Sequence, residues 1–295
     1  MSEFSADWLQ LREAADGRAR ADQLLAWLRQ SRGTWQSVVD LGAGTGANLR
    51  HLVTKLGPGQ RWCCLDRDAA LLAQLLPRTA AWAQSAGYEV RERPGELWLA
   101  GTGAEPGAAA AWDARIRTRQ CDLAEPRALE ILPSGALITA SALLDLVSAD
   151  WLEALIEQGR ARACAFLLAL SYDGRVALAP AQADDQALVA WVNRHQSGDK
   201  GFGPALGPDA VARAEGLATG AGYRTAVANS DWHIGPDEAA LQAALLDGWL
   251  EAALELAPMQ RARVVTWRRA RQHAIDTAEL RIQVGHRDLV ATPAW

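Results

Sequence analysis

The stretch SVVDLGAGTGANLRHL, Ser37–Leu52, decides how this chain is read. An apolar run closes on an acid, Asp40, and three glycines follow at 42, 44 and 46. A helical period then resumes. Glycine is needed where backbone turns with positive φ or passes close to a ligand. A turn from strand to helix also points a helix N-terminus at that ligand. Two ligand classes compete for such a turn. The dinucleotide fingerprint is G-x-G-x-x-G, with its second glycine admitting pyrophosphate. Here the spacing is G-x-G-x-G behind an acid. An acid repels pyrophosphate and suits a ligand with a positive amino group.

Working outward, the same pattern recurs. RWCCLD (61–66) is a second buried strand ending on an acid, Asp66, which is placed to accept ribose hydroxyls. ARIRTRQCDL (114–123) alternates like a half-exposed strand near a sheet edge and delivers Asp122, an acceptor for an adenine amino group. GALITAS (135–141) and ACAFLLALS (163–171) are further buried strands, with a helix starting near Ser148 or Asp150 between them. Strand and helix thus alternate over 33–171, which predicts a doubly wound parallel sheet with helices on both faces. Three acids at successive strand ends converge on one crevice.

VVDLGAGTGANL, CCLD, CDL and ITASALLDL, in this order, resemble the motifs of class I S-adenosylmethionine-dependent methyltransferases over residues 33–175. That resemblance implies a mostly parallel seven-stranded sheet whose last strand is antiparallel and inserted beside the sixth. Strands near 222–229 and 280–285 would supply the pair. It implies S-adenosylmethionine as cofactor and methyl transfer as activity. It assigns Asp40, Gly42, Ala43 and Gly44 to the methionine portion. Asp66 and Arg67 fall at the ribose, and Cys121, Asp122 and Leu123 at the adenine. Ser141, Ala142 and Leu143 face the methyl group. Asn48 either reaches the cofactor or faces solvent. Gly46 either serves the ligand or packs helix on strand. Asp68 reads as the N-cap of its helix.

The rest of the chain surrounds this half. Residues 5–31 form one or two amphipathic helices. A helix at 68–85 contains Pro77, expected to kink or split it. Pro94-Gly95 marks a hairpin. Later come a Gly-rich loop around SGDKGFG, a helix near 208–220, and a helical insertion at 237–275 divided by Pro258. Nothing resembles a linker or repeat, so 1–295 reads as a single methyltransferase-like domain with an acceptor-side half after 176.

Methyl transfer to a hydroxyl or amine calls for alignment and, for some acceptors, a base. His195 and His233 lie in segments that bear acceptor contacts in the family, and Asp145 falls near the expected methyl site. Each also has a structural reading: a surface or packed histidine, a salt-bridged acid. His51 and His273 read as surface residues, and His286 as a hydrogen-bonded structural one. Lys200 lies in the Gly-rich loop, which either closes over an anionic acceptor or is a solvent loop.

The 295 residues suffice for a substantial core, and 49% apolar with 22% charged residues is ordinary globular composition. Net charge is −5 without a basic block, which weighs against nucleic acid as partner. No Asn/Asp-Pro-Pro-aromatic motif follows ITAS, which weighs against base methylation. No metal-ligand spacing is present. Cys63, Cys64, Cys121 and Cys164 form no paired motif and read as buried reduced thiols. The polar N-terminus and the lack of a long apolar run predict a cytoplasmic protein off the membrane. The expected function is methyl transfer to a small-molecule acceptor. A non-catalytic S-adenosylmethionine-binding regulator is the alternative, and a nicotinamide-dependent oxidoreductase is disfavoured by the glycine spacing and Asp40.

Overall fold

The computed structural model describes residues 5–32, 34–102, 111–125 and 127–294. Two helices come first, α1 (Ala6–Ala19) and α2 (Gln23–Ser31). Ser5 caps α1 by accepting from the Trp8 N–H, which satisfies one of the unpaired donors of the first turn. The alternating region then runs β1 (Ser37–Leu41), α3 (Ala47–Leu52), β2 (Gln60–Asp66), α4 (Ala69–Ser85), β3 (Glu89–Arg93), β4 (Glu96–Gly101), β5 (Trp112–Gln120), β6 (Leu137–Ser141), α5 (Ala149–Ala161) and β7 (Ala165–Ala179). It continues with α6 (Asp185–Gln196), α7 (Ala210–Gly220), β8 (Tyr223–Asn229), β9 (Trp232–Ile234), α8 (Ala239–Leu256), α9 (Arg261–Asp276) and β10 (Arg281–Pro293).

One sheet joins the strands in the order β3-β4-β5-β2-β1-β6-β7-β10-β8, with β9 on β10. β5, β2, β1, β6 and β7 are parallel neighbours, and β10 runs antiparallel between β7 and β8. The antiparallel last strand therefore lies beside the preceding one, as the resemblance implied. The strand number differs: the sheet has ten strands rather than seven. The β3–β4 hairpin adds two, so β5 is not the edge it seemed, and β9 adds the third. β7 also runs on to Ala179, well past the buried stretch legible in the sequence, because its far half pairs with β10.

Alternation along β1 divides the core. Val38 packs with Leu24, Leu28, Leu49 and Leu75 from α2, α3 and α4 on one face of the sheet. Val39 and Leu41 pack with α5 and α7 residues on the other. A third cluster holds the late helices against the extended ends of β7 and β10, and it includes Ala15 of α1, Leu188 of α6, Trp232, Leu246, Trp249 and Trp267. Pro77 sits within α4 without splitting it. Asp68 caps that helix, accepting from the N–H groups of Ala70 and Leu71.

Candidate functional site

The site grows from the turn after β1. Gly42, Gly44 and Gly46 all have positive φ, at 67°, 52° and 90°. They are not equivalent. A Cβ on Gly46 would lie 2.9 Å from Leu75 Cγ and 3.2 Å from Thr79 Oγ1, so this glycine lets the turn pack on α4. A Cβ on Gly44 would lie 2.9 Å from Leu9 Cδ1, and one on Gly42 would lie 3.4 Å from Leu143 Cδ1. Leu9 of α1 and Leu143 after β6 therefore cover the turn from two sides.

Three acids organise this region in different ways. Asp40 is fully buried. Its Oδ1 accepts from Asn48 Nδ2 at 2.7 Å, while its Oδ2 has no hydrogen-bond partner. Burial pushes its carboxyl up to about 7, against the opposing pull of the Asn48 hydrogen bond and of Arg20. Asn48 is itself buried and points inward, donating also to Thr139 Oγ1 and accepting from Arg20 Nη1. Asp66 ties the turn to β2: its Oδ2 accepts from the Gly44 N–H at 2.8 Å and its Oδ1 from the Asp68 N–H at 2.9 Å. Asp122 is exposed, and its Oδ1 closes a short turn onto the Ala124 N–H.

Around these acids, Ala43 anchors the turn by donating its N–H to Leu65. Arg67 is exposed, with its guanidinium beside Gly201 of the Gly-rich loop. Cys121 is half-buried and continues β5 by donating its N–H to the Asp66 carbonyl. Leu123 is buried, and its carbonyl accepts the Trp151 indole N–H at 2.6 Å. That bond takes one lone pair of the carbonyl, and the Leu123 N–H stays available for a ligand contact. Trp151 in turn meets Phe202 edge-on at 5.5 Å, so the Gly-rich loop packs on the start of α5, with Gly201 beside Arg67 just past β2. Ser141 is half-buried and Ala142 takes a positive φ of 53°.

A second cluster lies beyond Leu143. Asp145, in the 3-10 turn Leu144–Leu146, is only 6% exposed, and its Oδ1 has no partner. Burial raises its carboxyl to about 6, opposed in part by Arg12 and Lys200 acting through space. Arg12 of α1 forks onto Asp16 and stacks over the Trp232 ring at 4.8 Å. Trp232 donates its indole N–H to the same Asp16 and packs 5.0 Å from His286. His286 donates from Nδ1 to the Val284 carbonyl, and burial, then Arg12, lowers it to about 3, so the ring is neutral. Tyr172 stands beside His286 and gives its hydroxyl to Asn193.

The two histidines expected to be bases fare differently. His233 is exposed, because β9 turns Trp232 and Ile234 inward and the residue between them outward. Its side chain therefore leaves the strand on the opposite side from Trp232. His195 is partly buried on α6, with Nε2 on Glu255 at 2.9 Å and Nδ1 3.3 Å from Lys200 Nζ. It meets Lys200, whose charge, like that of Arg12, favours the ionised Asp145 carboxylate. Sequence reasoning missed Trp8, Arg12, Tyr172 and Trp232, and gave His286 a structural role only. Their meeting depends on β9 folding back onto β10 and α1 packing on β9.

All four cysteines are free; Cys64 and Cys164 are buried and Cys63 and Cys121 only half-buried, with burial raising each thiol. Among the described residues no group of three or more His, Cys, Asp or Glu side chains is placed to hold a metal, and no helix is long and apolar enough to cross a membrane.

The sheet order defines a doubly wound α/β fold with an antiparallel strand inserted near one edge. No family model matches the sequence, and no curated protein matches it. Solved structures similar to this chain include Haemonchus contortus phosphoethanolamine N-methyltransferase 2 with phosphomonomethylethanolamine and S-adenosylhomocysteine. It is 14% identical, with 99% of this chain and 58% of that one covered and a TM-score of 0.45. A geranyl diphosphate methyltransferase with S-adenosylmethionine is 11% identical over 100% of this chain and 93% of that one, TM-score 0.43. The cyclopropane synthase MmaA2 of Mycobacterium tuberculosis is 13% identical over 98% and 94%, TM-score 0.43.

Proposed function

We propose that this protein transfers a methyl group from S-adenosylmethionine to a small-molecule acceptor. One observation carries the reading. The acid–glycine turn follows the central strand, neighbouring β2 ends on Asp66, Asp122 lies two residues past the end of β5, and the buried acid of the turn keeps one oxygen unpartnered.

The residues fit such a cofactor group by group. Asp40 Oδ2 is a buried acceptor in want of a donor, and a cationic amino group satisfies it. Gly42 and Gly44 keep the backbone free of side chains where the methionine portion passes. Each Asp66 oxygen already accepts one backbone N–H and retains a lone pair for a ribose hydroxyl. The free oxygen of Asp122 and the Leu123 N–H serve the adenine edge. Arg67, Cys121 and Asn48 border these contacts, with Asn48 holding Asp40 rather than the ligand. Ser141, Ala142 and Leu143 line the side towards Asp145.

The cofactor supplies an electrophilic sulfonium methyl, and the protein supplies alignment. Leu9 and Leu143 exclude water from the turn. Asp145 takes a proton from the incoming nucleophile at Oδ1. Its raised carboxyl suits that role, since a base works best with a pKa near the working pH. His195 acts on the site through Lys200.

Calorimetric titration with S-adenosylmethionine and S-adenosylhomocysteine tests this directly. Saturable binding is expected. Its loss in Asp66→Ala, with an unchanged fold, supports the ribose contact. A wild-type protein that binds neither compound overturns the reading.

A further inference from the structure

The cluster beyond Leu143 has few unspent polar groups, and these define what it would bind. The Tyr172 hydroxyl is spent on Asn193, and both Asp16 oxygens are spent on Arg12, with Trp232 sharing one. His286 Nδ1 is spent on Val284. Two charged groups keep capacity. Asp145 Oδ1 is buried without a partner. Arg12 uses Nε and Nη2 on Asp16, and its Nη1 makes no hydrogen bond to the described residues. Lys200 adds a second cation, with one contact to His195. Tyr172 joins the three groups: its backbone N–H bonds the Asp145 carboxylate, its ring stands 6.2 Å from His286, which packs on Trp232 under Arg12, and its hydroxyl reaches Asn193 of α6, the helix whose His195 contacts Lys200.

The walls are aromatic. Trp8 and Trp232 meet edge-on at 6.5 Å, and His286 and Tyr172 continue the surface. Such a wall can hold a cationic ligand against ring faces. Here the face of Trp232 is taken by the chain's own Arg12 at 4.8 Å, and Arg12 also opposes protonation of His286. A cationic ligand would meet like charge. An anionic one meets a guanidinium whose remaining edge is free.

We propose that this cluster binds the methyl acceptor and that the acceptor is a small organic anion bearing a hydroxyl or amine. Its anionic group pairs with Arg12, with Lys200 in support, and its nucleophile hydrogen-bonds to Asp145 Oδ1. This rests on the methyl-transfer reading, which puts the nucleophile beside Leu143 and the glycine turn. On α1 one helical turn links the two regions, since Leu9 covers Gly44 and Arg12 follows three residues later. In the transfer, the nucleophile's lone pair forms the bond to the methyl carbon as the carbon–sulfur bond breaks. Its proton passes to Asp145, and the sulfur leaves as a neutral thioether.

Ligand-observed NMR tests the proposal on the intact protein, with and without S-adenosylhomocysteine. The probes are 4-hydroxybenzoate, 4-aminobenzoate, 3-hydroxypropanoate and β-alanine, against 4-hydroxybenzamide, 4-aminobenzamide and the trimethylanilinium cation. At least one carboxylate is expected to bind about tenfold or more tightly than its uncharged or cationic counterpart. Arg12→Gln should erase that preference, Arg12→Lys should keep part of it, and S-adenosylhomocysteine affinity should stay within about threefold. The hydroxyl and amine probes show which nucleophile the site prefers. Where Arg12→Gln does not fold, Lys200→Gln gives the same comparison from the loop, with a smaller loss. Equal binding of amides or trimethylanilinium overturns the proposal. So does unchanged carboxylate binding in Arg12→Gln, or a protein that binds S-adenosylhomocysteine but none of the carboxylates. Carboxylate binding without S-adenosylhomocysteine binding instead rejects methyl transfer and leaves the anion site standing.

Discussion

Asn48 donates its side-chain amide to Asp40 Oδ1 at 2.7 Å and leaves the other oxygen of this fully buried carboxylate without a partner. A buried carboxylate with one oxygen unsatisfied is costly when ionised, which is why its carboxyl rises to about 7. A cationic amino group on Oδ2 would restore the ionised form. Cofactor affinity should therefore fall by about tenfold per unit below pH 7 as Asp40 protonates. Titrations between pH 5 and pH 8.5 read this slope, and a flat profile removes Asp40 from the amino contact.

The same carboxyl affects folding without ligand. Its folded pKa lies above its unfolded one, so its contribution to stability is fully present below about pH 4 and is lost as pH rises through 7. Asp40→Asn cannot ionise. The ligand-free variant should melt above wild type at pH 8, by an amount on the order of a few kcal/mol, and the gap should close towards pH 5. The variant should also bind S-adenosylmethionine at least about tenfold more weakly. Thermal midpoints across this pH range decide the first point and calorimetry the second.

Gly46 and Gly87 share a positive φ, at 90° and 79°, but not their surroundings. Nothing lies within 4 Å of a Cβ on Gly87, so Gly87→Ala should cost only the backbone strain, about 1 kcal/mol. A Cβ on Gly46 would meet Leu75 Cγ at 2.9 Å and Arg50 Nη1 at 3.1 Å. Gly46→Ala adds overpacking of about 1–3 kcal/mol to the strain. Denaturant unfolding should separate the two variants clearly. Equal losses would mean that α4 yields at no cost.

His233 and Asp145 give an opposed pair. His233 faces outward from β9, so His233→Ala should leave both thermal midpoint and turnover unchanged. Asp145 is buried with a free oxygen, so Asp145→Asn should lower turnover by about 10²-fold or more while S-adenosylhomocysteine affinity stays near wild type. Single-turnover assays with an identified acceptor check both. A silent Asp145→Asn removes the base.

The strand-end acids and the glycine turn were legible because each is local. An apolar run, a turn residue and a carboxylate within a few positions carry their own geometry. An antiparallel last strand beside the sixth was implied by the family resemblance, and β10 lies beside β8 and also against β7. The hairpin at Pro94-Gly95 was visible, yet its pairing onto β5 was not, because pairing partners leave no local mark. The Arg12, Trp232 and His286 cluster joins α1, β9 and β10 from both ends of the chain. A three-residue strand such as β9 has no detectable period, so the inward turn of Trp232 and the outward turn of His233 were beyond reading.

Arg20 offers a test that joins packing to chemistry. It ends α1, gives Nη1 to Asn48 Oδ1 at 2.7 Å, and places Nε 3.7 Å from Asp288 Oδ2. Asp288, also buried, accepts the N–H groups of Ala21 and of Leu170, the latter at a positive φ of 53°. Arg20→Met would leave Asp288 as an uncompensated buried charge, at a cost of about 3 kcal/mol or more. It would also remove the positive charge that lowers the Asp40 carboxyl. Affinity for S-adenosylmethionine should therefore begin its fall with decreasing pH at a higher pH than in wild type, even under conditions where the variant is fully folded. Arg20→Lys keeps the charge and loses one of the two contacts, so its pH midpoint should stay near wild type while its stability falls. Titrations of the three proteins over pH 6–9 separate these effects. An Arg20→Met profile that overlays wild type would show that Arg20 anchors α1 and has no influence on Asp40.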